Sequence, residues 1–180
     1  MKKKLTAVLI ASMLLIPLII SGCTSETETA LPEEASMSEG FAIYLTKDDI
    51  PVQQMPALSH LELADEPSIS RDDIIWYFQD THEIELTPEA YERLEALEIR
   101  TFGKSFVVCV DKQPVYWGAF WVSYSSQSFD GITIQMKPTF VEENRIKISR
   151  GFPSDAFASG EDPRSNPEIK ASLEKAGKLK

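Results

Sequence analysis

This 180-residue chain is short of the residues that most often carry chemistry. It has two cysteines and two histidines. No GxSxG stretch is present, so a serine nucleophile on a strand-to-helix elbow has no footing. Basic residues are also scarce: 18 Lys and Arg stand against 28 Asp and Glu, for a formal charge of -10. That balance does not suit nucleic acid, which needs a basic patch, nor a domain lying flat on anionic lipid. Long apolar runs are missing from all but one place. "LTAVLIASMLLIPLII" is about 16 residues long and is interrupted by Pro17. A spanning helix needs roughly 20.

What is present at the start is a basic n-region, Lys2 to Lys4, then that apolar run, which ends in "IISGC", Ile19 to Cys23. These are the parts of a bacterial signal peptide. The ending resembles the lipobox of prokaryotic lipoproteins: an aliphatic residue, two small residues and a cysteine. The resemblance implies cleavage before Cys23 and a lipid on its sulfur. Removing the three lysines takes the formal charge from -10 to -13. Acyl chains contribute about 0.8 kcal/mol per buried methylene, enough to hold a soluble domain on a bilayer. Residues 1–22 are thus expected to be a leader and residues 23–40 a lipidated tether. "TSETETALPEEASMSEG" is acidic and polar, with too little apolar surface to fold. Thr24, rather than Asp, follows the cysteine. For the lipoprotein class this implies the outer membrane in a Gram-negative host.

With Cys23 assigned to lipid, Cys109 in "FVVCVD" has no intramolecular partner and reads as a small buried hydrophobe. The folded unit is expected over 41–153, with 154–180 a loop and a polar helix or frayed tail. "FAIYLT" and "HEIELT" alternate as strands. "DDIIWYFQ" is a continuous apolar run that fits a strand or one helical turn. Thr87 and Pro88 begin a helix whose Ala90, Tyr91, Leu94 and Leu97 share one face, with Gly103 as its stop. "SFVVCVD", "PVYWGAFWVSYSS" and "GITIQMKP" read as a hairpin followed by a third antiparallel strand, and "NRIKISRGFP" as one more. The fold class is α+β: an antiparallel sheet with a helix packed on one face.

The central strand poses the main question. Val115, Trp117, Ala119 and Trp121 alternate with Tyr116, Phe120 and Tyr124, so both faces carry aromatics. The helix is expected to dry one face and "DDIIWYF" to serve as lid on the other. Any part left exposed is a binding surface, and Tyr116, Trp117, Phe120, Trp121 and Tyr124 are its candidates.

The order "IELTPEAYERL", "GKSFVVCVDKQPV", "GITI" resembles the head subdomain of the periplasmic first loop of the protein-export subunit SecD. Leu86, Thr87, Ala90, Asp111 and Pro114 carry the likeness, over roughly residues 72–138. The family's membrane-spanning bundle has no counterpart here, so proton-coupled export does not carry over. What the resemblance implies is an extracytoplasmic domain that touches polypeptide.

Catalytic readings are thin. His82, read as a strand residue, points away from Glu83 and shares a face with Asp80. A metal would need a further ligand that spacing does not supply. The serines at 123, 125, 126 and 128 lie where a strand ends, without a base or oxyanion hole in view. Asp72 and Asp73 read as turn or capping residues. The expectation is a non-catalytic, lipid-anchored extracytoplasmic module that binds protein or peptide, without nucleic acid, metal or cofactor. The alternatives are an envelope enzyme using His82 with Asp72, Asp73 or Asp80, and a structural envelope lipoprotein.

Overall fold

The computed structural model describes residues 39–137 and 144–180. The expected leader, Cys23 and the expected tether as far as residue 38 lie outside the described residues. The elements are β1 (Phe41–Leu45), β2 (Ile74–Phe78), β3 (Glu83–Leu86), α1 (Pro88–Glu95), β4 (Lys104–Val110), β5 (Gln113–Val122), β6 (Phe129–Lys137), β7 (Arg145–Phe152) and α2 (Pro167–Lys175). The strands form one sheet in the order β1-β4-β5-β6-β7-β3-β2. The fold is α+β, as expected: a mixed, mostly antiparallel seven-stranded sheet with two helices packed on it.

Local chemistry explains the elements. The Thr87 hydroxyl accepts the Ala90 N–H and Pro88 takes the first helical position, so α1 starts where it must. It stops at Glu95, well short of Gly103, and Ala90, Tyr91 and Leu94 are its buried residues. β4 and β5 turn over Asp111 and Lys112, both at positive φ (51° and 63°), which is the primed geometry that matches strand twist. α2 starts under the Asn166 side chain, which accepts the Glu168 N–H at 2.8 Å, and buries Ile169 and Leu173.

One correction concerns topology. β5 and β6 pair in parallel, with Gly118 opposite Ile132 and Phe120 opposite Ile134, rather than as antiparallel neighbours. The chain after Val122 doubles back, and Phe129, the first residue of β6 and opposite Phe152 of β7, lies against Trp117 and Trp121. "SYSSQS" holds no Gly or Asn for a tight primed turn, whereas the two indoles need a cover.

Both faces of β5 are covered, each by different residues. Tyr116 and Phe120 belong to the main core, with α1, α2 and the inner residues of all seven strands. Trp117, Ala119 and Trp121 face outward, where Val52, Phe129 and Phe152 pack on them. Met55, Leu58, Leu61 and Leu63 extend that cover over β1 and β4. The expected lid is therefore wrong. "DDIIWYF" forms a short 3-10 turn and then the edge strand β2, and Tyr77 from it meets Phe41 of β1 edge to face at 6.1 Å. The expected break after 153 is not a core boundary, because Ile169 and Leu173 belong to the main core.

Candidate functional site

The five candidate aromatics separate by burial. Tyr116, Phe120 and Trp121 are 5%, 0% and 1% exposed, so they hold the fold and are closed to an outside ligand. Tyr124 is 67% exposed, in the segment after β5. Trp117 is half-buried and is where the outer aromatic row meets the surface.

That row is continuous. Trp121 stacks on Phe129 with ring centres 5.3 Å apart and planes 10° off parallel. Phe152 lies 5.7 Å from Trp121 on one side, and Trp117 lies 5.9 Å from Phe129 on the other. Offset contacts of this kind are worth about 0.5–1.5 kcal/mol each beyond their buried area. Gly131 allows the arrangement, since a Cβ there would fall 2.6 Å from the Phe129 ring. Trp117 and Phe129 then floor a cleft of about 340 Å³, walled by Ile132, Arg150 and Pro163 and rimmed by Asp130, Ser159 and Glu161.

The rim is held by the segment after β7. Ser159 Oγ donates to Asp130 Oδ2 at 2.7 Å, and its N–H donates to the Asp130 carbonyl at 2.9 Å. Arg150 Nη2 donates to the Gly160 carbonyl at 3.0 Å, and its Nε faces Asp155 at 3.8 Å. Further along, Asp162 and Arg164 form a fork, with Nη2 to Oδ2 at 2.7 Å and Nε to Oδ1 at 2.9 Å. Those bonds hold the Asp162 carboxyl down at about 2. Arg164 also donates to the Ile148 carbonyl at 3.0 Å, pinning the segment to β7. A second cleft, of about 450 Å³, lies between the start of the domain and α2, where Arg71, Asp111, Glu168 and Lys175 line it without an aromatic wall.

The expected chemical candidates are otherwise engaged. His82 is the last residue of the β2–β3 turn, at φ 53°, and not a strand residue. Four residues separate the strands, and the turn needs a left-handed position before the pairing resumes. Its Nδ1 lies 3.2 Å from the Tyr77 hydroxyl. Burial, then the Arg164 charge, push its pKa below the ordinary value. Asp73 accepts from the Ser70 N–H and hydroxyl, both at 2.8 Å, and pairs with Arg93 at 2.9 Å. Burial alone would raise that carboxyl, but Arg93 and Ser70 hold it below its usual range. Asp72 is exposed beside Arg71 at 3.5 Å. Cys109 is fully buried and its thiol is pushed up to about 12 by burial, so it is unreactive. Among the described residues, no three His, Cys, Asp or Glu side chains come together to hold a metal. No helix among them is long and apolar enough to cross a membrane.

The residues the sequence did not expose are Phe129, Arg150 and the 154–163 segment. Phe129 sat inside what reads as a turn, and its aromatic character beside "WVSY" was the available signal. Nothing in sequence spacing brings Arg150 to Trp117. No protein-family model matches the chain, no curated protein matches it in sequence and no solved structure matches it.

Proposed function

We propose that this protein is a lipid-anchored, non-catalytic binding module of the cell envelope that contacts protein or peptide through the Trp117–Phe129 cleft. The observation that carries the reading is the cleft itself: an aromatic floor with a guanidinium on its wall and carboxylates on its rim. Aromatic and arginine side chains at the centre of a recess, ringed by polar groups, are the composition of binding hot spots. The lipobox-like "IISGC" and the acidic tether support a domain held near a membrane and standing off it. In a Gram-negative host the outer membrane is the expected site. A binding role is also favoured by Asp73, which is tied to Arg93 and Ser70, and by the His82 ring, which meets the Tyr77 hydroxyl.

The test is cross-linking in the native membrane. A photoreactive residue at exposed Ser159 traps a discrete polypeptide adduct, and Trp117→Ala reduces its yield at least tenfold. Recovery of no enriched adduct, or of an enzymatic activity abolished by one substitution, overturns the reading. Cys23→Ser moves the protein from the membrane fraction to the soluble fraction if the anchor is lipid.

A further inference from the structure

The outer edge of β2 is filled by three residues of the same chain. α2 closes in a Schellman reversal: the Gly177 N–H donates to the Glu174 carbonyl and the Lys178 N–H to the Leu173 carbonyl, both at 2.9 Å, with Gly177 at φ 65°. The reversal delivers Lys178–Lys180 alongside β2 in parallel, with Leu179 opposite Tyr77. The Tyr77 N–H donates to the Lys178 carbonyl at 2.8 Å. The Lys180 N–H donates to the Tyr77 carbonyl at 2.8 Å, and the Gln79 N–H to the Lys180 carbonyl at 2.9 Å.

Side chains give this slot a chemistry. Lys178 Nζ donates to the Ile74 carbonyl at 2.5 Å. Leu179 packs against the main core. The Lys180 ammonium sits over the Trp76 ring at 4.0 Å and within 5.6 Å of the Phe78 ring centre. The slot therefore reads a basic, an aliphatic and a basic residue in extended conformation. Of the five residues of β2 the occupant pairs with Tyr77 alone, through two main-chain bonds, with a third at Gln79 just beyond the strand.

We propose that the β2 edge is a strand-addition site for an extended polypeptide segment of basic–aliphatic–basic pattern, filled in cis by Lys178–Lys180 and taken by a partner that displaces them. An exposed edge strand is a template for pairing, and main-chain bonds supply affinity while alternate side chains supply specificity. A segment that runs along all of β2 makes more main-chain bonds than the cis residues do. The chain's formal charge of -10 favours a basic partner over an acidic one. The inference rests on the reading of the protein as a polypeptide binder, at a surface that shares no lining residue with the Trp117 cleft.

The probe is a fluorescein-labelled peptide, Ser-Lys-Leu-Lys-Val-Ser, with Ser-Glu-Leu-Glu-Val-Ser as its charge-reversed control. Anisotropy is read with the full chain and with the full-length double variant Leu179→Asp, Lys180→Glu, which unseats the cis segment. The double variant binds the basic peptide at least tenfold more tightly than the native chain, and the acidic peptide not measurably. Adding Trp76→Ala removes most of that gain. Lys180→Ala alone gives a smaller gain and serves if the double variant does not fold. Equal affinity for the native chain and the unseated variants overturns the proposal, as does equal binding of the two peptides. Native dimers that exchange residues 178–180 also overturn it, because the edge then belongs to a second copy. The readout is independent of the cross-link from the cleft, so failure of either surface is seen separately.

Discussion

Gly118→Ala tests the meeting of β5, β6 and the main core at one point. A Cβ at 118 would lie 2.5 Å from Cζ of Phe106 and 2.6 Å from the Ile132 carbonyl oxygen. Neither neighbour yields easily. Phe106 is fully buried with its ring 5.0 Å from that of Phe120, and the oxygen belongs to the β6 backbone. Overpacking of a tight core typically costs about 1–3 kcal/mol, and a backbone clash places this site at the upper end. Loss of unfolded-chain freedom on Gly→Ala returns about 0.4–1 kcal/mol. The net expectation is a loss of about 2 kcal/mol. For a domain near this size that lowers Tm by roughly 4–8 °C. Urea unfolding of the domain should show a lower midpoint with an unchanged slope. Gly160→Ala is the control: it sits at φ 71° with nothing within 4 Å of its Cβ, so only the left-handed backbone penalty applies, of about 1–2 kcal/mol. If Gly118→Ala is no more destabilising than Gly160→Ala, β6 does not lie against β5 at this register and the account of the sheet fails.

Tyr116→Phe removes a fully buried hydroxyl that has no hydrogen-bond partner among the described residues. Because that hydroxyl is desolvated for no return, the variant should be unchanged or more stable by about 1 kcal/mol, and a loss above that in urea midpoint would show a partner. His82 has its pKa lowered by burial and by Arg164 and Lys147, with Asp162 pulling the other way. The fold therefore favours the neutral ring. Its contribution is fully present above the unfolded value of about 6.5 and is lost as pH falls below it. His82→Asn tolerates the positive φ and should flatten the decline in urea midpoint between pH 7.5 and pH 5; an unaltered slope would remove His82 from the account. Trp76→Phe leaves Trp117 and Trp121. Acrylamide should quench one population in part and the other hardly at all, and adding Trp117→Phe should leave only the protected, blue-shifted one; red emission from that single indole would mean the outer face is open.

Where local chemistry decides a structure, the residues announced it. Thr87-Pro88 starts α1, and the apolar run of β4 with "DK" after it makes the β4–β5 hairpin. Where the decision is made at a distance, they did not. Much of the outer cover of β1, β4 and β5 comes from residues 46–63, a stretch broken by Pro51 and Pro56 into 3-10 turns with no helical period. Its Val52, Met55 and Leu58 read as loop residues because they follow no helical or strand period, while Leu61 and Leu63 open a stretch that reads as a short strand and forms one isolated bridge, Leu63 to Thr46. The same holds for Phe129, whose burial depends on a parallel return that turn chemistry between β5 and β6 does not specify.

The position of Trp117 follows from that division of labour. A ten-residue strand with aromatics on both sides needs two covers, and the outer one is assembled from two pieces. Residues 55–63 protect the β1 and β4 side, while Val52, Phe129 and Phe152 protect the Trp121 end. Trp117 packs against both pieces and is completed by neither. A fully exposed indole at this place would be an aggregation liability, and a fully buried one would be mute. Half-buried, it is fixed in orientation by Phe129 while its free edge faces a cleft whose wall and rim carry both signs of charge. A rigid aromatic loses little side-chain freedom on contact, so a partner that covers it gains apolar burial at small entropic cost. On the proposed binding role, the seam between the two covers is where a partner would meet the fold without disturbing its core.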